Sequence, residues 1–253
     1  MRTLCGIGRT VQVVLRAGRA AVASPSARGA LGGDPAAAGD ARTAARPPVP
    51  AEPALLSGTV GEQRRHGVLL DQVDGRTCGS AVLVALAAWL DPTETARLGP
   101  PETFGVRYDQ RQRQVHRETN RFWPRALGTT PWGMLGWLRR HLPAAGRYRL
   151  RLVDDATPTD VASAVAATTA ALTAQRPVPM LVGSLIPRHW VLAVSVHEPD
   201  RGHWRVYEPS SGSVRLVDPA WVSTRALRPV LGFARLHAVL LPAEVTERGW
   251  SGR

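Results

Sequence analysis

The chain has no lysine; all 32 of its basic residues are Arg. Against 20 acidic residues this gives a net charge of +12 and a pI near 11.4. A basic excess gathered on one face attracts nucleic acid or acidic partners. Here the charge is scattered, with no block of five or more like charges, so no nucleic-acid surface is expected. Arg without Lys, in a chain rich in Ala, Gly and Pro, fits the coding bias of a GC-rich genome. Cysteine is also scarce. Cys5 and Cys78 make no disulfide framework, and neither belongs to a CxxC pair. Thiolate metal binding is not expected, and Cys78 reads as a free thiol. No run approaches the ~18 uninterrupted apolar residues of a membrane-spanning helix. Near the start, the apolar run Val11 to Leu15 lies between Arg9 and Arg16. It falls short of the ~7–15 apolar residues of a secretory signal, so a cytoplasmic location is expected. His189, His197 and His203 lack a convincing set of acidic partners for a metal, and no Walker loop or GxGxxG motif occurs. No cofactor is expected.

What is present divides the chain in three. Residues 1–57 are rich in Ala, Arg and Pro, and Arg46-Pro47-Pro48-Val49-Pro50 is unsuited to a helix or a central strand. This part reads as a disordered tail, residues 58–243 as one domain, and 244–253 as a second short tail. Within the domain, Gly79 to Leu90 is apolar nearly all round and ends at Asp91-Pro92. That length and pattern predict a buried central helix, with Thr77 placed to cap it. Asp109 to Arg125 reads as a polar, Arg-rich stretch. Thr130-Pro131 is a cap and first-position pair for a second helix carrying Leu135, Leu138 and Leu142 on one face. Residues 149–153 alternate like a strand, and Thr159 to Thr173 reads as an Ala-rich helix.

The last third is different. Residues 178–185, 189–196, 203–207, 214–217 and 236–241 are short β-type runs divided by turn signals, among them Ser210-Ser211-Gly212. Helices followed by antiparallel strands define an α+β domain.

Cys78 stands at the predicted start of the buried helix. A helix N-terminus stabilises a thiolate, the nucleophilic form of cysteine. Cysteine is also a commonly buried small hydrophobe, so this position alone does not decide. Gln72, six residues earlier, lies in a loop that lets its amide turn towards the same point. Preorganised donors of that kind hold a developing oxyanion. Gly79 is small enough for a substrate backbone to approach. His189 opens a strong β-type run, with Trp190 directed to the other face. Glu208 ends the next such run. A two-residue turn at Pro199-Asp200 opposes 191 with 208; a four-residue loop opposes 193 with 208. Either register puts Glu208 on the face of His189. The shorter turn makes them diagonal neighbours, and the longer one does so only if a bulge intervenes. A carboxylate there would fix the imidazole tautomer.

The combination Gln72-x5-Cys78-Gly79, His189-Trp190 and Tyr207-Glu208-Pro209 resembles the C39-like, bacteriocin-processing branch of the papain-like cysteine peptidases. The resemblance covers about Gly67 to Gly212. It implies a papain-like fold, with an N-terminal helical part whose nucleophile-bearing helix packs on a C-terminal antiparallel sheet. It also implies a peptide or protein substrate and acyl transfer by Cys78, His189 and Glu208. Gln72 would serve as oxyanion donor, and Gly79, Trp132 and Trp190 would lie along the cleft. Two departures stand out: the family's Asp is Glu208 here, and Thr77 replaces the frequent Asp before the cysteine. A catalytically inactive binding module and a transglutaminase-like acyltransferase are the alternatives, and the oligomeric state is left open.

Overall fold

A computed structural model describes residues 55–142, 147–197 and 202–243. Most of the tail assigned to 1–57, with Cys5, and the tail at 244–253 lie outside the described residues. Leu55 and Leu56, counted with the tail, belong to the domain: each is only 3% exposed within the hydrophobic core.

The chain opens with the short strands β1 (Gly61–Glu62), β2 (Arg64–Arg65) and β3 (Val68–Leu69). Helix α1 then runs from Cys78–Leu90 and is buried from Cys78 to Ala88, as its all-round apolar sequence requires. Asp91 ends it and caps α2 (Pro92–Arg97), its Oδ1 accepting from Thr93 N–H at 2.9 Å. Helix α3 (Phe104–Thr119) occupies much of the stretch read as merely polar. Its buried positions, Phe104, Tyr108, Gln112, Val115, His116 and Thr119, follow a helical stripe. Three of those six are polar, which thins the apolar stripe that sequence patterning relies on. After a single 3-10 turn (Arg125–Leu127), α4 (Pro131–His141) starts on the expected Thr130 cap, whose side chain accepts from Gly133 N–H.

From here the fold is mainly sheet. Strand β4 (Tyr148–Leu152) leads to α5 (Pro158–Thr173). There follow β5 (Val178–Gly183), β6 (Pro187–Val196), β7 (Trp204–Glu208), β8 (Ser213–Val217), the short helices α6 (Ala220–Thr224) and α7 (Arg228–Leu231), and β9 (Arg235–Pro242). Seven strands form one antiparallel sheet in the order β1-β8-β7-β6-β5-β9-β4, so β6 lies at its centre. The protein is thus α+β.

Both sheet faces are covered. Trp190, Leu192 and Val194 of β6 pack with α1, α3 and α4. Val191 and Ala193 point the other way and pack with Val161, Ala164 and Leu172 of α5 and Leu231 of α7. This two-sided burial explains why the strands read as continuous apolar runs instead of clean alternations. A second helical layer, α5 with α7, covers the face opposite α1.

Candidate active site

The loop before α1 is held in place by buried polar groups. Gln112 of α3, fully buried, donates to Asp71 C=O at 2.9 Å and accepts from Val73 N–H at 3.2 Å. Tyr207 of β7 donates to Leu70 C=O, and Gln72 N–H donates to Pro209 C=O at 2.8 Å. The loop is thereby tied to the end of β7, where Glu208 sits. Thr77 occupies the N-cap position without capping the helix. Its hydroxyl donates back to Asp74 C=O and accepts from Asp74 N–H, closing the preceding turn. The expected Thr77 cap is therefore absent, and its side chain takes none of the helix's first N–H groups. Cys78 begins the helix as a buried free thiol, 5% exposed.

His189 is the third residue of β6, at the end of the strand where its pairing with β5 slips between Val182 and Gly183. The imidazole is buried and hydrogen-bonds Cys78 on one side. On the other, Nε2 is 2.7 Å from Oε1 of Glu208, which leaves Nδ1 for the thiol. Phe233 closes over the ring, with centroids 5.6 Å apart. Burial alone would lower the pKa of His189. The hydrogen bonds to Cys78 and Glu208 and their charges outweigh it and raise the pKa to about 9. Burial would likewise raise the carboxyl of Glu208. The hydrogen bonds from His189, Ser211 and Ser210 N–H, with the charge of His189, hold it down at about 2.

Four further expectations meet different outcomes. Gln72 lies beside the site, but its amide nitrogen donates to Asp74 C=O at 2.6 Å while its oxygen accepts from Ser210 Oγ at 3.3 Å. Its N–H groups are thus partly committed within the loop. Trp190 is not a cleft residue: it is 1% exposed, and its Nε1 donates to Thr129 C=O at 2.8 Å. Gly79 is small because of that same packing. A Cβ there would lie 2.8 Å from Thr129 Cβ and 3.1 Å from Trp190 Cδ1, so the missing side chain makes room for protein. Trp132 is 37% exposed and lines an open groove of about 340 Å³ with Phe122, Trp123, Thr130 and Arg140. Thr130 follows Thr129, so the groove starts next to the residue that packs on Gly79.

Sequence reasoning missed the groups that hold Glu208. Ser210-Ser211-Gly212 reads as a turn, and a turn it is, but the N–H groups of Ser210 and Ser211 and the Ser211 hydroxyl point at the Glu208 carboxylate. Among the described residues no group of three or more His, Cys, Asp or Glu is arranged to hold a metal ion. No helix among them is long and apolar enough to cross a membrane.

The chain matches no protein-family model, and no curated protein matches it.

Proposed function

We propose that this protein is a papain-like cysteine peptidase of the C39-like type, or a related thiol-dependent amide hydrolase, acting on a peptide or protein. The observation that carries the reading is the chain of contacts Cys78–His189–Glu208. A thiol at the start of a 13-residue helix meets an imidazole whose far nitrogen is fixed by a carboxylate. Structural histidines need no thiol neighbour at a helix end.

The chemistry follows from that arrangement. His189 takes the Cys78 proton, and the helix N-terminus favours the resulting thiolate. The sulfur attacks the substrate carbonyl carbon and forms the C–S bond, and the carbonyl electron pair moves to oxygen. Cys78 N–H, with the Gln72 amide turned from Asp74, receives that oxyanion. As the tetrahedral adduct collapses, the C–N bond breaks and the imidazolium protonates the departing amine. Water, deprotonated by His189, then releases the acid and restores the thiol. The groove at Trp132 offers an apolar lane for the substrate chain.

The deciding measurement is the rate at which iodoacetamide labels Cys78 near pH 6. Fast labelling that disappears in His189→Ala supports the enzyme. The sluggish rate of an ordinary thiol in the parent chain would dismiss it. One observation favours an inactive binding module instead: the Gln72 amide is engaged with Asp74 in place of facing outward. Incorporation of a primary amine into product, in preference to water, would mark a transglutaminase-like transfer.

A further inference from the structure

Glu208 carries one more methylene than the aspartate of the family that the chain resembles, and hence one more rotatable bond. An orienting acid works only if its oxygen stays in reach and in plane with the imidazole N–H. A longer side chain needs a compensating constraint, and the turn after β7 provides one. Oε1 faces His189 Nε2 at 2.7 Å and accepts from Ser210 N–H at 2.8 Å. Oε2 accepts from Ser211 N–H at 3.0 Å and from Ser211 Oγ–H at 2.7 Å. Both oxygens are therefore fixed, and the carboxylate plane with them.

The direction of the Ser211 proton is settled by its other neighbour. Arg215 of β8 donates from Nη2 to Ser211 Oγ at 3.1 Å, and its Nη1 donates to Val230 C=O at 2.7 Å. A guanidinium can only donate, so the serine oxygen accepts from it, and its one proton goes to the nearer acceptor, the carboxylate Oε2 at 2.7 Å, and not to the Glu208 C=O at 3.4 Å. Such a chain of donors polarises the hydroxyl and strengthens the final bond. The backbone is fixed as well. Gly212 adopts φ +58°, and a Cβ there would lie 2.9 Å from Leu69 Cγ.

We propose that Ser211, backed by Arg215, is a positioning residue that holds the Glu208 carboxylate in the orientation His189 requires. The proposal rests on the Cys78–His189–Glu208 reading above. Ser211 touches no reacting atom and acts through Glu208 alone.

The test compares the full chain with Ser211→Ala, Ser211→Thr and Arg215→Gln. Two quantities are followed: the pH profile of Cys78 labelling by iodoacetamide, and the imidazole titration of His189 by nitrogen NMR. In Ser211→Ala, labelling near pH 6 should fall about tenfold, as expected for loss of a hydrogen bond to a charged group. The His189 titration should move down from about 9. Ser211→Thr, which keeps the hydroxyl, should restore both. Arg215→Gln should shift both the same way by less. A folded Ser211→Ala chain with the parent's labelling profile and the parent's imidazole titration overturns the proposal. If that variant does not fold, the same result in Arg215→Gln overturns it. Slow labelling of the parent itself strikes at the Cys78–His189 reading; the His189 titration then still decides whether Ser211 governs the Glu208–His189 pair.

Discussion

Glu208 reaches His189 across the β6–β7 pair because one residue is bulged out of β6. Val196 opposes Trp204 and Ser195 opposes Arg205, but beyond the bulge Ala193 opposes Val206 and Leu192 opposes Tyr207. Continued one step, the register sets Val191 against Glu208, so that acid and base are diagonal neighbours. That is the pairing a two-residue turn would have produced, reached here by a bulge between Ala193 and Ser195.

The acid should be needed for more than its charge. Glu208→Gln keeps the length but removes the carboxylate that stabilises an imidazolium, so the Cys78–His189 pair loses its favoured protonation state. Activity, or Cys78 labelling near pH 6, should drop about 10²–10⁴-fold. Glu208→Asp keeps the charge but withdraws it from His189 and from the Ser211 hydroxyl, and should lose about tenfold or more. Wild-type rates in both variants would remove Glu208 from the site.

The pH dependence has two limbs of opposite sign. Glu208 titrates near 2 in the folded chain against an ordinary 4.5, so its stabilising contribution is complete above pH 4.5 and is lost as pH falls towards 2. His189 titrates near 9 against 6.5, so its contribution is complete below 6.5 and is lost as pH rises through 9. Parent and Glu208→Gln should therefore differ most in unfolding free energy, read from urea denaturation, between pH 4.5 and 6.5, by on the order of 3 kcal/mol. A gap that stayed constant from pH 2 to pH 9 would contradict this. The proposed amide hydrolysis should also fall above about pH 9, where the leaving amine would lose its proton donor.

Gly79→Ala sets helix propensity against packing. Alanine is favoured in a helix interior by about 1 kcal/mol. The new methyl would nevertheless lie 2.8 Å from Thr129 Cβ and 3.1 Å from Trp190 Cδ1, whose ring is itself held by the bond from Nε1 to Thr129 C=O. Overpacking should win, with a net loss of about 1–3 kcal/mol in denaturant unfolding. A stabilised variant would mean that residues 129–130 yield freely.

Gln112→Leu tests the loop that carries Gln72 to Cys78. Two half-buried backbone groups, Asp71 C=O and Val73 N–H, lose their partner at once. Each costs about 1–3 kcal/mol when left unsatisfied. Unfolding should come earlier, and amide exchange at Val73 should speed up by more than the global loss of stability explains. Unchanged exchange there would show that the loop is held by Tyr207 and Pro209 alone.

The sequence by itself determined the parts that depend on local pattern. The apolar run after Cys78 had to be a buried helix, Thr130-Pro131 had to start another, and the β-type runs of the last third had to pair. For a two- or a four-residue turn, period-two alternation also put Glu208 on the His189 face. Tertiary structure decided the rest, because those matters turn on contacts between residues far apart in the chain. The mixed buried stripe of α3 finds its partners in α1, α4 and the loop at Asp71. Trp190 and Gly79 belong to packing with Thr129, a partner that no spacing reveals. The reach from Glu208 to His189 depends on a bulge that is silent in composition, and Ser211 owes its direction to Arg215 on the next strand. Local propensity fixes which elements form; only packing fixes which side chains meet.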